Sequence, residues 1–281
     1  MHPVSTQTSK SSYEQRVEGL LSSLRKLDSL AVAFSGGVDS TVLLHAARKA
    51  LGDSCVAVIA DSPSLPREEL SSAQELAASM GAELVIVSTE ELADPRYVAN
   101  AGDRCYFCKS ALFERMQAWA ERREFTALAF GEITDDALDD RPGAIAAREF
   151  GVLAPLRAAG LSKLDVRRYA REAGLVVAEK PASACLASRV PVGTPVTRER
   201  LAQVESAEFA LHSRGYEVVR VRHHGSRALL EVGETEFERA RAELKVLGTL
   251  LADFGFEQFE LGLYLTPAER SSTLKQSLDS E

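Results

Sequence analysis

Residues 30–51 read LAVAFSGGVDSTVLLHAARKAL, and this stretch decides the fold. The run LAVAF (30–34) is short, apolar and unbroken, as a strand buried on both faces must be. It passes into SGGVDS (35–40), after which TVLLHAARKAL carries apolar residues at helical spacing. Gly36 and Gly37 let the backbone turn sharply and approach a ligand closely. The first N–H groups of the helix then face an anion, aided by the helix dipole and by the hydroxyls of Ser35 and Ser40. No Gly-Lys-Ser/Thr follows, so this is not the loop of kinase-type NTPases, and the dinucleotide pattern GxGxxG is missing. Asp39 would repel a phosphate unless a Mg²⁺ lay between them.

Outward from this stretch, strand and helix alternate. CVAVIA (55–60) ends at Asp61, a helix over 66–80 stops at Gly81, and ELVIVS (83–88) is a third strand. A helix over 109–123 leads to TALAFG (126–131), a fourth. This pattern predicts an α/β fold whose parallel sheet is covered on both faces. Ser12 to Gln15 reads as a capping box, and 162–173 as another capped helix. PVGTPVT (191–197) suits a linker. Beyond it, Thr197 caps a helix to about 214, and EVVRVRH and RALLEV form a hairpin across 224–226. A long helix (234–253) and a last strand (256–265) complete a small α+β unit. The expected domains are 1–190, 191–267 and a flexible tail, 268–281.

Net charge is −8, from 33 basic and 41 acidic residues among 281, which argues against broad nucleic-acid or membrane-surface binding. Four cysteines are too few for a secreted disulfide framework. No apolar run reaches the roughly 18 residues of a membrane span, and residues 1–12 lack a signal-peptide core. The expected compartment is the cytoplasm, where cysteines are reduced thiols or metal ligands.

Cys185 lies in EKPASACLASRVPVG (179–193), with Lys180, Ser183, Ser188 and Arg189 around it. A nearby cation enriches the reactive thiolate; the plain alternative is a small buried apolar residue. Cys105 and Cys108 form CYFC, which can be redox-active, bind zinc or hold a cluster. No second CxxC or HxxxH completes a zinc site, and the preceding segment is not the strand that a thioredoxin-like motif follows. Three cysteines meeting in space would hold three irons of a [4Fe–4S] cluster and leave the fourth open. Cys55, inside a strand, reads as core.

Residues 214–227 hold Arg214, Arg220, Arg222, His223, His224 and Arg227. Arg220 and Arg222 project from one face of a strand and can grip a phosphate together; the alternative is an edge strand protected by charge. Glu231 is a candidate to orient them. Asp135, Asp136, Asp139 and Asp140 follow the fourth strand, at the end where parallel sheets bind ligands, which makes Asp135 or Asp136 a Mg²⁺ candidate.

SGGVDS resembles the pyrophosphate-binding loop of the PP-loop ATPases, which share the adenine nucleotide alpha hydrolase-like fold. Taken with GEITDDALDDRPG (131–143), KPASACLASRVPVGTPVT (180–197) and RVRHHGSRALLEV (220–232), it resembles the LarE family over about residues 12–265. LarE enzymes are ATP-dependent sulfur transferases of nickel-pincer nucleotide biosynthesis, which serves lactate racemase maturation. The resemblance implies that ATP, with Mg²⁺, adenylylates a carboxylate of pyridinium-3,5-biscarboxylic acid mononucleotide, and that sulfur then replaces AMP to give the thiocarboxylate. It implies Ser35, Gly36, Gly37, Asp39 and Ser40 at the pyrophosphate, Asp61 by the adenine, and Arg220, Arg222 and Arg189 at the substrate phosphate. Asp39 and Asp136 are the candidate Mg²⁺ ligands. Cys185 either gives up its own sulfur or, with Cys105 and Cys108, holds a [4Fe–4S] cluster that carries sulfide. A homo-oligomer, often a hexamer, is also implied. A PP-loop tRNA thiolation enzyme is the rival reading, since some of those pair SGGxDS with a CxxC and a third cysteine; the net charge and the lack of an added RNA-binding domain count against it.

Overall fold

A computed structural model describes residues 12–138, 141–181, 184–265 and 269. The chain divides into two compact units: Met1–Tyr97 with Gly102–Ser183, and Val98–Ala101 with Ala184–Glu281. Along the chain, α1 (Tyr13–Leu24), β1 (Leu30–Ala33), α2 (Val38–Leu51), β2 (Cys55–Asp61), α3 (Arg67–Ser79) and β3 (Leu84–Ser88) come first. They are followed by α4 (Pro95–Ala99), α5 (Arg104–Arg123), β4 (Ala127–Phe130), α6 (Pro142–Glu149), α7 (Pro155–Ala158) and α8 (Lys163–Glu172). The second unit adds α9 (Arg198–Ser213), β5 (Val219–His224), β6 (Arg227–Val232), α10 (Glu234–Ala242), α11 (Leu244–Asp253) and β7 (Gln258–Leu263). The expected capping box forms between Ser12 and Gln15, and the expected capped helix at 162 opens on a second box, Ser162 with Asp165.

The first unit is the expected α/β fold. Its parallel sheet runs in the order β3-β2-β1-β4. Strand alternation sends side chains into two cores. Leu30, Val32, Cys55, Ala57 and Ile59 pack with α1, α2, α3 and α8, while Ala31, Ala33, Val56 and Val58 pack with α5 and α6. Cys55 is fully buried, and burial pushes its thiol pKa up to about 12, as its core reading requires. Since β2 lies on one side of β1 and β4 on the other, the strand order reverses at β1. Ser35–Ser40 leave its C-terminal end, where such sheets bind ligands.

The second unit is a three-stranded sheet, β5 antiparallel to β6 and β6 parallel to β7. Val219, Val221, Leu230 and Val232 from β5 and β6 share a core with Leu211 of α9 and Leu247 and Leu251 of α11.

Three local expectations change. The helix expected from 109 begins at Arg104, so CYFC lies in its first two turns. The long helix over 234–253 is broken at Glu243, whose ψ of 13° departs from helical geometry. PVGTPVT is not a free linker. Asn100, buried and in the left-handed region at φ 53°, donates its side-chain amide to the carbonyls of Pro191 (2.7 Å) and Thr194 (3.0 Å). Its own carbonyl accepts the Gly193 N–H. The expected tail, 268–281, lies outside the described residues apart from Glu269, and among the described residues no helix is long and apolar enough to cross a membrane.

Candidate active site

The glycine loop is built for close backbone approach. Gly36 has φ 68°, and a Cβ there would also meet the Ala73 Cβ at 3.3 Å. Gly37 is the N-cap of α2 and offers no side-chain cap to the first N–H groups of this 14-residue helix. Ser40 is buried and turned inward: its Oγ donates to the Gly37 carbonyl (3.1 Å) and accepts the Ser35 N–H (3.2 Å). Ser40 therefore shapes the loop, while Ser35 Oγ lies beside it at 3.1 Å. From the end of β4, Gly131 presses on this turn, with room for no side chain: a Cβ would lie 2.8 Å from the Ser40 nitrogen.

Two lysines from elsewhere in the unit reach this loop. The Lys163 ammonium donates to both oxygens of Asp39, at 2.9 and 2.8 Å, and the Lys163 N–H is held by Asp135. Lys180 donates to the Gly36 carbonyl (3.4 Å) and to Glu69 (2.8 Å). Arg167 fastens the approach to Lys180 by donating to the carbonyls of Ala178 (2.6 Å) and Lys180 (3.3 Å). Asp136 accepts the Ile133 N–H (3.1 Å) and pairs with Arg141. Asp61, at the end of β2, pairs with Arg67, whose guanidinium also bonds the Ser62 and Leu65 carbonyls. The buried Glu132 pairs with Arg157 at 3.1 Å. Asp139 and Asp140 lie outside the described residues.

Mg²⁺ needs only one or two carboxylates when phosphates supply its other ligands. Asp39 fits that role, since its carboxylate already holds a cation on both oxygens. Sequence reasoning missed Lys163, although a lysine in the first turn of a helix, against the dipole, is a visible signal.

In the second unit, Cys185 is half-exposed and caps a short 3₁₀ turn, Leu186–Arg189. Arg189 is 3% exposed and fully engaged. It grips both oxygens of Glu208 through Nε (3.0 Å) and its terminal nitrogen (2.9 Å), and it donates to the carbonyls of Ala184 (2.6 Å) and Cys185 (3.1 Å). Its guanidinium therefore holds the cysteine turn. Glu208 also accepts the Val221 N–H at 2.8 Å, tying that turn to β5. Glu208 was missed too, though it falls in the apolar stripe Leu201, Val204, Leu211 of α9.

Arg220 and Arg222 share one face of β5, with Val219, Val221 and His223 buried on the other. Arg222 pairs with Glu231 at 2.9 Å and donates to the Ser188 carbonyl at 3.1 Å, the orientation expected of Glu231. Arg220 bonds the Val219 carbonyl and lies 5.3 Å over the Tyr264 ring. Among the described residues no carboxylate stands within ion-pair distance of it. Burial first, and Arg189 second, hold its pKa below the usual arginine value. A partly buried guanidinium in this position can take a phosphate oxygen. Burial lowers the His223 pKa; its Nε2 faces Gln203 Oε1 at 2.9 Å and its Nδ1 accepts the Gly225 N–H.

Cys105 is exposed and Cys108 half-exposed, one turn apart on α5, which suits thiolate ligation. Among the described residues no three His, Cys, Asp or Glu side chains are gathered to hold a metal ion.

No family model matches the chain. An uncharacterised protein of Synechocystis is 40% identical over 253 residues, covering 89% of this chain and 94% of the relative. An uncharacterised protein of Methanocaldococcus jannaschii is 24% identical over 234 residues, 83% of this chain and 89% of the relative. The pyridinium-3,5-bisthiocarboxylic acid mononucleotide synthase of Lactiplantibacillus plantarum is 36% identical over 237 residues, which cover 82% of this chain and 86% of the relative. With that identity over that span, the chain belongs to the family of the pyridinium-3,5-bisthiocarboxylic acid mononucleotide synthases, the LarE family its motifs resemble.

Proposed function

We propose that the protein is an ATP-dependent sulfur transferase that converts a carboxylate of pyridinium-3,5-biscarboxylic acid mononucleotide to the thiocarboxylate. The observation that carries this is the partly buried Arg220, with no carboxylate in ion-pair distance among the described residues, beside Arg222 on the strand to which the Cys185 turn is tied through Arg189 and Glu208. A phosphate grip and a thiol held in one unit suit a phosphorylated substrate that receives sulfur. In the first unit, Ser35, Gly36, Gly37 and the α2 N–H groups would receive the pyrophosphate of ATP, with Asp39 as the Mg²⁺ carboxylate, Asp61 by the adenine and Lys180 by the phosphates. Mg²⁺ would neutralise the charge that builds on the leaving pyrophosphate.

The substrate carboxylate displaces pyrophosphate and becomes an acyl adenylate; sulfur then displaces AMP. In one branch the Cys185 thiolate attacks, and loss of its Cα proton releases the thiocarboxylate and leaves dehydroalanine. In the other, Cys105, Cys108 and Cys185 would hold a [4Fe–4S] cluster, and the chemistry it would supply is delivery of sulfide. The accessible CxxC favours the second. Arg189 positions the Cys185 turn. The enzyme is taken to be a cytoplasmic homo-oligomer, a hexamer by its family. Incubation with ATP and the mononucleotide should yield AMP, pyrophosphate and a product in which sulfur replaces oxygen. Release of ADP and inorganic phosphate would end this reading.

A further inference from the structure

Lys163 is the first residue of α8, and its ammonium takes both oxygens of Asp39, 124 residues away. A positive charge at a helix start is disfavoured by the dipole, so the local sequence does not explain it. Its backbone N–H is held by Asp135. One residue thus joins a carboxylate that follows β1 to one that follows β4. The Lys163 and Asp39 side chains are 38% and 27% exposed, so the pair can part without unfolding either helix.

We infer that Lys163 is an internal counter-ion that keeps a divalent cation off Asp39 until nucleotide arrives. The inference rests on the reading of Asp39 as the Mg²⁺ carboxylate. A lone Mg²⁺ gives up its waters reluctantly and must displace an ammonium without offering it a new anion. ATP brings phosphate oxygens that complete the metal shell and accept the released ammonium. Metal and nucleotide therefore load together. When pyrophosphate leaves, Lys163 returns to Asp39 and the cation is expelled. The lysine is a positioning residue that couples the two ligands.

The test titrates the full chain with Mn²⁺, read by electron paramagnetic resonance, with and without ATP. Wild type, Lys163→Met, Lys163→Arg and Asp39→Asn are compared, with thermal unfolding to confirm the fold; Lys163→Gln serves if the Met variant does not fold. Removing the ammonium should tighten Mn²⁺ binding without ATP roughly fivefold, the equivalent of one partly exposed ion pair. The gain in Mn²⁺ affinity on adding ATP should shrink, and Lys163→Arg should behave as wild type. A purely structural lysine would lose Mn²⁺ affinity on substitution. Equal or weaker Mn²⁺ binding by Lys163→Met, with binding lost in Asp39→Asn, overturns the counter-ion role while leaving Asp39 as the metal carboxylate. Unchanged binding of Mn²⁺ with ATP by Asp39→Asn removes that reading itself, and the inference with it.

Discussion

Gly131→Ala tests the packing on which the proposed nucleotide loop depends. Gly131 follows β4 with a φ that any residue can adopt, since it is absent from the left-handed glycines, so the backbone itself tolerates alanine. The added methyl is the perturbation. It would meet the Ser40 nitrogen at 2.8 Å, the Asp39 carbonyl carbon at 3.0 Å and the Ser40 Cα at 3.1 Å. All three are backbone atoms of the first turn of α2, so no side chain can swing aside. Ordinary contact begins at 3.4 Å, and the helix start must retreat by about half an ångström or more. Overpacking of this kind costs about 1–3 kcal/mol of stability.

The larger effect falls on chemistry. The retreat carries Asp39 and the ligand-facing N–H groups with it, and a misplacement of about 1 Å costs on the order of a hundredfold in rate. Pyrophosphate release by Gly131→Ala, followed continuously with saturating mononucleotide, should fall at least roughly tenfold. Mononucleotide affinity should hold, because the arginines proposed to bind it, Arg220 and Arg222, lie in the other unit. A rate within twofold of wild type, in a folded variant, would refute the reasoning.

Four further outcomes are expected. Glu208→Ala strands the buried Arg189 charge and the Val221 N–H; denaturant titration should show a loss of about 3–5 kcal/mol, and a loss under about 1 kcal/mol would mean the pair carries little. Arg220→Ala should weaken mononucleotide binding by about 1.5–3 kcal/mol and leave ATP binding unchanged by calorimetry, whereas equal losses would make the hairpin structural. The His223 pKa is depressed in the folded state, so its stability contribution is complete above the unfolded value of about 6.5 and drains away as pH falls through the folded value; His223→Gln should flatten that part of a melting-temperature profile, and an unchanged profile counts against it. Cys105→Ala and Cys108→Ala should each remove iron and turnover from anaerobically prepared protein, while a Cys185 product lighter by the elements of H₂S in iron-free protein would establish the sacrificial branch.

The elements read correctly from sequence are those whose causes are local. LAVAF and CVAVIA are buried strands because parallel strands covered on both faces need unbroken apolar runs. Ser12 and Ser162 open helices because their caps are completed within three residues. Where the reading moved, a distant partner decided. PVGTPVT has a linker's composition, yet Asn100 satisfies its carbonyls from about ninety residues upstream. The start of α5 is an exception of local origin: Asp103 is its N-cap yet makes no side-chain cap.

The same division separates the two kinds of site residue. Gly36, Gly37 and Cys185 announce themselves through backbone geometry or chemistry that one residue type supplies. Lys163 and Glu208 do not, because each acts by holding another group: Asp39 in one case, Arg189 and the β5 backbone in the other. What betrays both is misfit. A lysine against a helix dipole and a glutamate in an apolar stripe each carry a local cost, and each is offset by an ion pair to a group its own helix does not contain. Charges placed against their local surroundings therefore point to tertiary partners even before a structure names them.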